Sequence, residues 1–227
     1  MTFFRYILGK SFDDFITVLF NFKFLTVYSV LVILWIYFLH PNIYLLIGTP
    51  LISIWALAKI IGIIKEKDGE KYSDNGIISN FFRILWNSFL SLIVGIGIIL
   101  ITFSVYVSAS KTDNTLGIVF AIIGACIYFW YFTKIVFFPY CIVADGVDNP
   151  IRRSLSITEN NFIKIISLLL FTHLLYWYEI EKMFTEKTDI VFFSIKVLVV
   201  FVTSLFISIL YYNAYERLKE IQYQEFK

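Results

Sequence analysis

The chain has 227 residues, of which 59% are hydrophobic, 20% aromatic and only 16% charged, with a mean hydropathy of +0.79. Soluble domains carry about 45–50% apolar and about 25% charged residues, so an ordinary water-soluble domain is excluded. A formal net charge of +2 gives no basis for a nucleic-acid partner.

The first element is amphipathic. Phe4, Ile7, Leu8, Phe12, Phe15, Ile16 and Leu19 recur at helical spacing, interrupted by Arg5, Lys10, Asp13, Asp14 and Thr17. Such a helix lies in the membrane interface. Met1 to Phe22 has no clean apolar core followed by a small-residue cleavage site. It therefore reads as a retained segment and not as a signal peptide.

Two spans follow, about 24–39 and 43–64, separated by His40-Pro41-Asn42. Proline stops the first helix, and so short a link makes the pair antiparallel neighbours. Pro50 is expected to kink the second span. Ala58 and Gly62 form a small-xxx-small pair suited to close helix contact.

Residues 65–76, KEKDGEKYSDNG, read as a solvated loop. A second amphipathic stretch sets Ile77, Ile78, Phe81, Phe82, Leu85 and Trp86 against Ser79, Asn80, Arg83 and Asn87, and a span at about 89–107 follows. After a polar link, the fourth span covers about 116–138, with Gly117, Ala121, Gly124 and Ala125 as a narrow packing face.

The stretch from Pro139 to Phe162 is hydrophilic. Its Ala-Asp-Gly-Val-Asp-Asn-Pro segment reads as a turn and helix N-cap, which argues against a catalytic carboxylate pair at Asp145 and Asp148. Span five, about 162–178, ends in the interfacial anchor Tyr176-Trp177-Tyr178. An acidic-biased loop precedes span six, about 190–212, and a charged helical tail closes the chain.

Basic residues set the orientation. With the N-terminus on the cytoplasmic side, fifteen of the nineteen lysines and arginines fall on inner regions. Only Lys111, Lys182 and Lys187 fall outside, and Lys196 lies within a span. This is a positive-inside pattern for six spans with both termini in the cytoplasm. The expected fold is all-α: one integral membrane domain over residues 1–227, a polytopic bundle of six transmembrane helices. A faint repeat suggests three helical hairpins, each led by a cytoplasmic interfacial elbow. Lys10-Ser11 echoes Arg153-Ser154, and an asparagine recurs at the start of the odd-numbered spans as Asn21, Asn87 and Asn161.

Phe138-Pro139, Ile142-Val143, Asp145-Gly146, Pro150-Ile151-Arg152-Arg153-Ser154 and Asn160-Asn161-Phe162 together form a pattern of about 25 residues. It resembles a broad bacterial group comprising the membrane domain of glycerophosphodiester phosphodiesterases and several uncharacterised six-helix membrane families. Arg153 and Ser154 fall on that group's basic-serine step; Ile151 stands where alanine is common. The resemblance implies an integral membrane bundle and no defined chemistry, because the phosphodiesterase activity belongs to a separate soluble domain.

No nucleophile elbow, zinc-protease motif or phosphate loop occurs. Neither a catalytic set, a metal site nor a cofactor is expected, and Cys126 and Cys141 read as apolar packing residues. Two polar groupings stand out. Arg152, Arg153 and Lys164 offer contact to anionic lipid or a partner, or serve topology alone. His173 and Lys196 sit about 7–9 Å below the outer surface, with Glu179 and Glu181 at the mouth of the same hairpin. They form either a small outer polar site or a snorkelling lysine beside a structural histidine. The functional expectation is a non-enzymatic accessory or interaction protein of the bacterial cytoplasmic membrane, in envelope homeostasis, export or self-protection. Its partners are the lipid bilayer and a membrane protein. A small transporter or channel subunit is the alternative.

Overall fold

The computed structural model describes residues 3–38, 44–72, 76–111, 113–184 and 190–225, with side chains left undescribed at 32–38, 44–51, 77, 175–184, 190–198, 200 and 225. The described residues form nine α-helices: α1 (Phe3–Leu19), α2 (Phe22–Phe38), α3 (Tyr44–Lys67), α4 (Ile77–Ser110), α5 (Asn114–Ile135), α6 (Phe138–Asp145), α7 (Pro150–Thr158), α8 (Phe162–Phe184) and α9 (Ile190–Glu225). The chain divides into two compact units, residues 1–78 with 163–227, and residues 79–162.

The fold is all-α, and two helical segments are long and apolar enough to cross a membrane, Ile78–Ser110 and Asn114–Asp145. A third counts if α1 and α2, bent by 79°, form one broken span. Phe162–Leu174 is a shorter apolar helix. The His40-Pro41-Asn42 turn lies outside the described residues, and the expected spans at about 24–39, 43–64 and 190–212 include undescribed side chains. Pro50 lies inside α3, which runs as one helix.

In the first unit α1 packs along α9 and also meets α3, while α2 packs on α3. Ile7 and Val18 of α1, Ile60, Ile61 and Ile64 of α3, and Ile209, Leu210, Tyr215 and Leu218 of α9 are all buried. Phe24, Tyr28 and Trp55 stack in series, and Tyr28 meets Phe201 with ring centroids 4.7 Å apart. The bend after α1 has a local cause. Asn21 Oδ1 accepts the Phe24 amide at 3.0 Å and so caps the new helix.

In the second unit α4 and α5 form an antiparallel hairpin. Asp113 caps α5 by accepting the Thr115 amide at 2.8 Å. A Cβ placed on Gly117 would lie 2.9 Å from Ser110 Cβ, and one on Gly124 would run into the Thr102 side chain. The narrow face expected on this span is therefore a helix contact at its two glycines. Elsewhere the pair exposes large apolar side chains, including Leu100, Ile101, Phe103 and Ile122.

One expectation needs revision and one a refinement. The amphipathic stretch at 77–87 is no separate elbow: it continues into the span as the single 34-residue helix α4. Asn87 does not interrupt it, because its Nδ2 donates to the Arg83 carbonyl one turn back, at 2.7 Å. The fourth span is not one uninterrupted helix: α5 ends at Ile135 and α6 restarts with Pro139 in its first turn, where the missing N–H costs nothing, while the apolar segment runs on through Phe138 to Asp145. The segment after Pro139 is consequently core, with Cys141, Ile142 and Val143 buried.

Candidate functional site: polar anchors at the helix ends

The first anchor is Asp14, wholly buried on α1. Lys67 Nζ donates to its Oδ1 at 2.7 Å, and Asn213 Nδ2 of α9 donates to its Oδ2 at 2.9 Å. The same amide lies 3.2 Å from the Ser11 hydroxyl, which accepts from it. Three helices thus share one carboxylate. With one oxygen held from α3 and the other from α9, Asp14 acts as a bolt between helices. A buried charge left alone would cost several kcal/mol, which is why the lysine and the amide converge on it. Beside it, Lys10 meets Asp68 at 2.9 Å. Both partners are partly exposed, so that pair is worth about 0–1 kcal/mol.

The second anchor lies where α5 gives way to α6. The carbonyl of Lys134 accepts from the Ser154 hydroxyl at 2.9 Å and from the Thr158 hydroxyl at 3.2 Å. Ser154 Oγ in turn accepts the Phe137 amide at 3.2 Å. These bonds serve backbone groups at the helix break, where the regular helical pairing stops. Lys134 itself reaches the C-terminus of α7. Its ammonium donates to the carbonyls of Thr158 at 3.1 Å and Glu159 at 3.2 Å. A cation there satisfies last-turn acceptors and complements the helix dipole.

The α6–α7 turn is built by Gly146, at φ 64°, and by Asn149, whose side chain caps α7 by accepting the Arg152 amide. The turn expected from the sequence is present, with Asn149 as the cap. Arg83 of α4 donates to the carbonyls of Gly146, at 3.2 Å, and of Val147. Asp148 is fully exposed, with a carboxylate oxygen 3.8 Å from Arg83.

Arg152 and Arg153 both lie on α7, the first exposed and the second half-buried. Lys164 belongs to the other unit, where its ammonium stands 5.3 Å from the centre of the Phe3 ring. His173 is exposed on α8. The side chains of Glu179, Glu181 and Lys196 lie outside the described residues. Among the described residues no group of three histidine, cysteine or acidic side chains is placed to hold a metal.

The residues that sequence reasoning missed are the buried polar ones: Asp14, Asn80, Ser154 and Asn213. One signal was available. Asp14, Asn80 and Ser154 each stand seven residues before an asparagine, at Asn21, Asn87 and Asn161. All three are 0% exposed. The repeat seen as Lys10-Ser11 and Arg153-Ser154 therefore has a second register, in which the aligned position is a buried polar anchor. In two copies that anchor is hydrogen-bonded to another helix; Asn80 has no hydrogen-bond partner among the described residues.

No family model, curated protein or solved structure matches this chain.

Proposed function

We propose that this chain is a non-enzymatic membrane protein that acts by binding another membrane protein. It would cross the bacterial cytoplasmic membrane six times, as three hairpins with both termini inside. The supporting observation is the use made of a set of polar side chains, most of them buried. Asp14, Lys67, Asn213, Lys134, Ser154 and Thr158 all hold one helix to another. Groups arranged this way stiffen a bundle. The resemblance proposed for residues 138–162, to the membrane domains of glycerophosphodiester phosphodiesterases, would fit this reading, since it implies a membrane bundle with no defined chemistry.

The test uses the exposed flank of α4. A photo-crosslinking residue at Ile101 or Phe103, which are 68% and 61% exposed, should give one discrete protein adduct in native membranes. Adducts to lipid alone at both positions would remove the support for a protein partner. Solute flux through reconstituted vesicles would favour the transporter alternative.

A further inference from the structure

A cleft of about 370 Å³ opens in the first unit between the start of α2 and the charged end of α3. We infer that it is a binding site for a phospholipid headgroup carrying both a phosphate and a primary ammonium, as in phosphatidylethanolamine.

The charges are the first reason. Lys23, Lys59 and Glu66 line the cleft, and all three are exposed. Among the described residues none of their side chains makes a hydrogen bond or ion pair. Their neighbours behave differently. Lys67 is bound to Asp14, and Lys10 to Asp68. The lining thus presents two unpaired cations and one unpaired anion, complementary to a phosphate joined to an ammonium.

The order along α3 is the second reason. Trp55, Lys59, Gly62 and Glu66 are spaced four, three and four residues apart, so they share one helix face. Trp55 is farthest from the charged end of α3, stacked against Phe24 with ring centroids 5.8 Å apart. Lys59 stands one turn nearer the charged end, and Glu66 stands about 10 Å beyond Lys59 along the axis. An ethanolamine lipid has the same sequence of parts: acyl chain and glycerol, then phosphate, then ammonium. The apolar walls Phe24, Val27 and Trp55 suit the first, Lys59 with Lys23 the second, and Glu66 the third. A phosphatidylglycerol headgroup offers Glu66 no cation. A choline headgroup offers a cation without N–H donors.

Gly62 keeps the cleft open. A Cβ there would lie 3.1 Å from the ring of Tyr72, which forms the outer wall. The cleft would serve a scaffold and a transporter equally.

The experiment is native mass spectrometry of the full chain in mild detergent. Equal amounts of phosphatidylethanolamine, phosphatidylcholine and phosphatidylglycerol are added together. Wild type should retain the ethanolamine lipid preferentially. Lys23→Gln with Lys59→Gln should weaken that binding about 30-fold, each basic contact contributing about fivefold. Glu66→Gln should keep phosphate binding and lose the preference for ethanolamine. Gly62→Ala removes no charge; by crowding Tyr72 it should weaken all three lipids alike. Soluble phosphoethanolamine should fail to displace the lipid, since it cannot use the apolar walls. Equal retention of all three lipids by wild type would overturn the assignment. So would unchanged ethanolamine-lipid binding by the double variant, or displacement by the soluble headgroup.

Discussion

Asp14 and Lys67 make an unequal pair: their charged atoms are 2.7 Å apart, yet the aspartate side chain is 0% exposed and the lysine 35%. The inequality decides what each substitution should do. Lys67→Ala strands a buried carboxylate, whereas Asp14→Asn leaves a lysine that can return to water. Lys67→Ala is therefore expected to cost roughly 3–5 kcal/mol and Asp14→Asn about 1–2 kcal/mol. Thermal unfolding in detergent gives the order directly. Adding Asp14→Asn to Lys67→Ala should recover part of the loss, and a double variant worse than Lys67→Ala alone would contradict the buried-charge account.

Ser154→Ala should be more damaging than Thr158→Val. The serine hydroxyl serves two backbone groups, the Lys134 carbonyl and the Phe137 amide, while the threonine bond to Lys134 duplicates one of these. Losing the serine removes a bond to each of two backbone groups, at about 0.5–1.5 kcal/mol apiece. Hydrogen exchange at Phe137 is expected to accelerate in Ser154→Ala and to stay slow in Thr158→Val. Equal protection in both would mean that the hydroxyl does not hold the α5–α6 break.

Gly124→Ala places a methyl against Thr102 and should force α4 and α5 apart, at about 1–3 kcal/mol. Gly97→Ala is its control, since nothing lies within 4 Å of the added atom. That change should be neutral or stabilise the helix by roughly 0.5–1 kcal/mol. Matching melting temperatures for the two variants would rule out a close contact at Gly124.

Orientation is open to a direct test. Cysteines introduced at positions 75 and 114 should label from opposite sides of the membrane, the first from the cytoplasm. Cys126 is exposed and must be replaced first, whereas Cys141 is buried. Labelling of position 75 from outside would reverse the orientation drawn from the basic residues.

The local elements were legible in the sequence, and the long-range anchors were not. Helical spacing found α1, and the Ala-Asp-Gly-Val-Asp-Asn-Pro segment found the turn before α7, because both depend on neighbours in the chain. Asparagine misled as a boundary marker. Asn21 starts a helix by accepting from the Phe24 amide, while Asn87 stays inside one by donating to a carbonyl of the preceding turn. The residue type is the same, and the backbone around it decides the role. Lys134 reads from sequence as a lysine reaching for the membrane surface, yet it is 7% exposed and bound to carbonyls 24 and 25 positions away. Asp14 reads as a polar interruption of an amphipathic helix; its amide partner on α9 is 199 positions away. No local pattern carries such pairings.

The unbroken course of α4 bears on the thickness of the bilayer around it. Thirty-four residues make a rod about 51 Å long, against a hydrocarbon core of about 30 Å. The excess must tilt within the membrane or stand clear of it. Arg83, tied to the carbonyls of Gly146 and Val147, fixes the early turns of this rod to the α6–α7 turn, so sliding along its own axis would break those bonds. Mismatch is then relieved by tilting or by a locally deformed bilayer, and the protein should discriminate between membranes by their thickness.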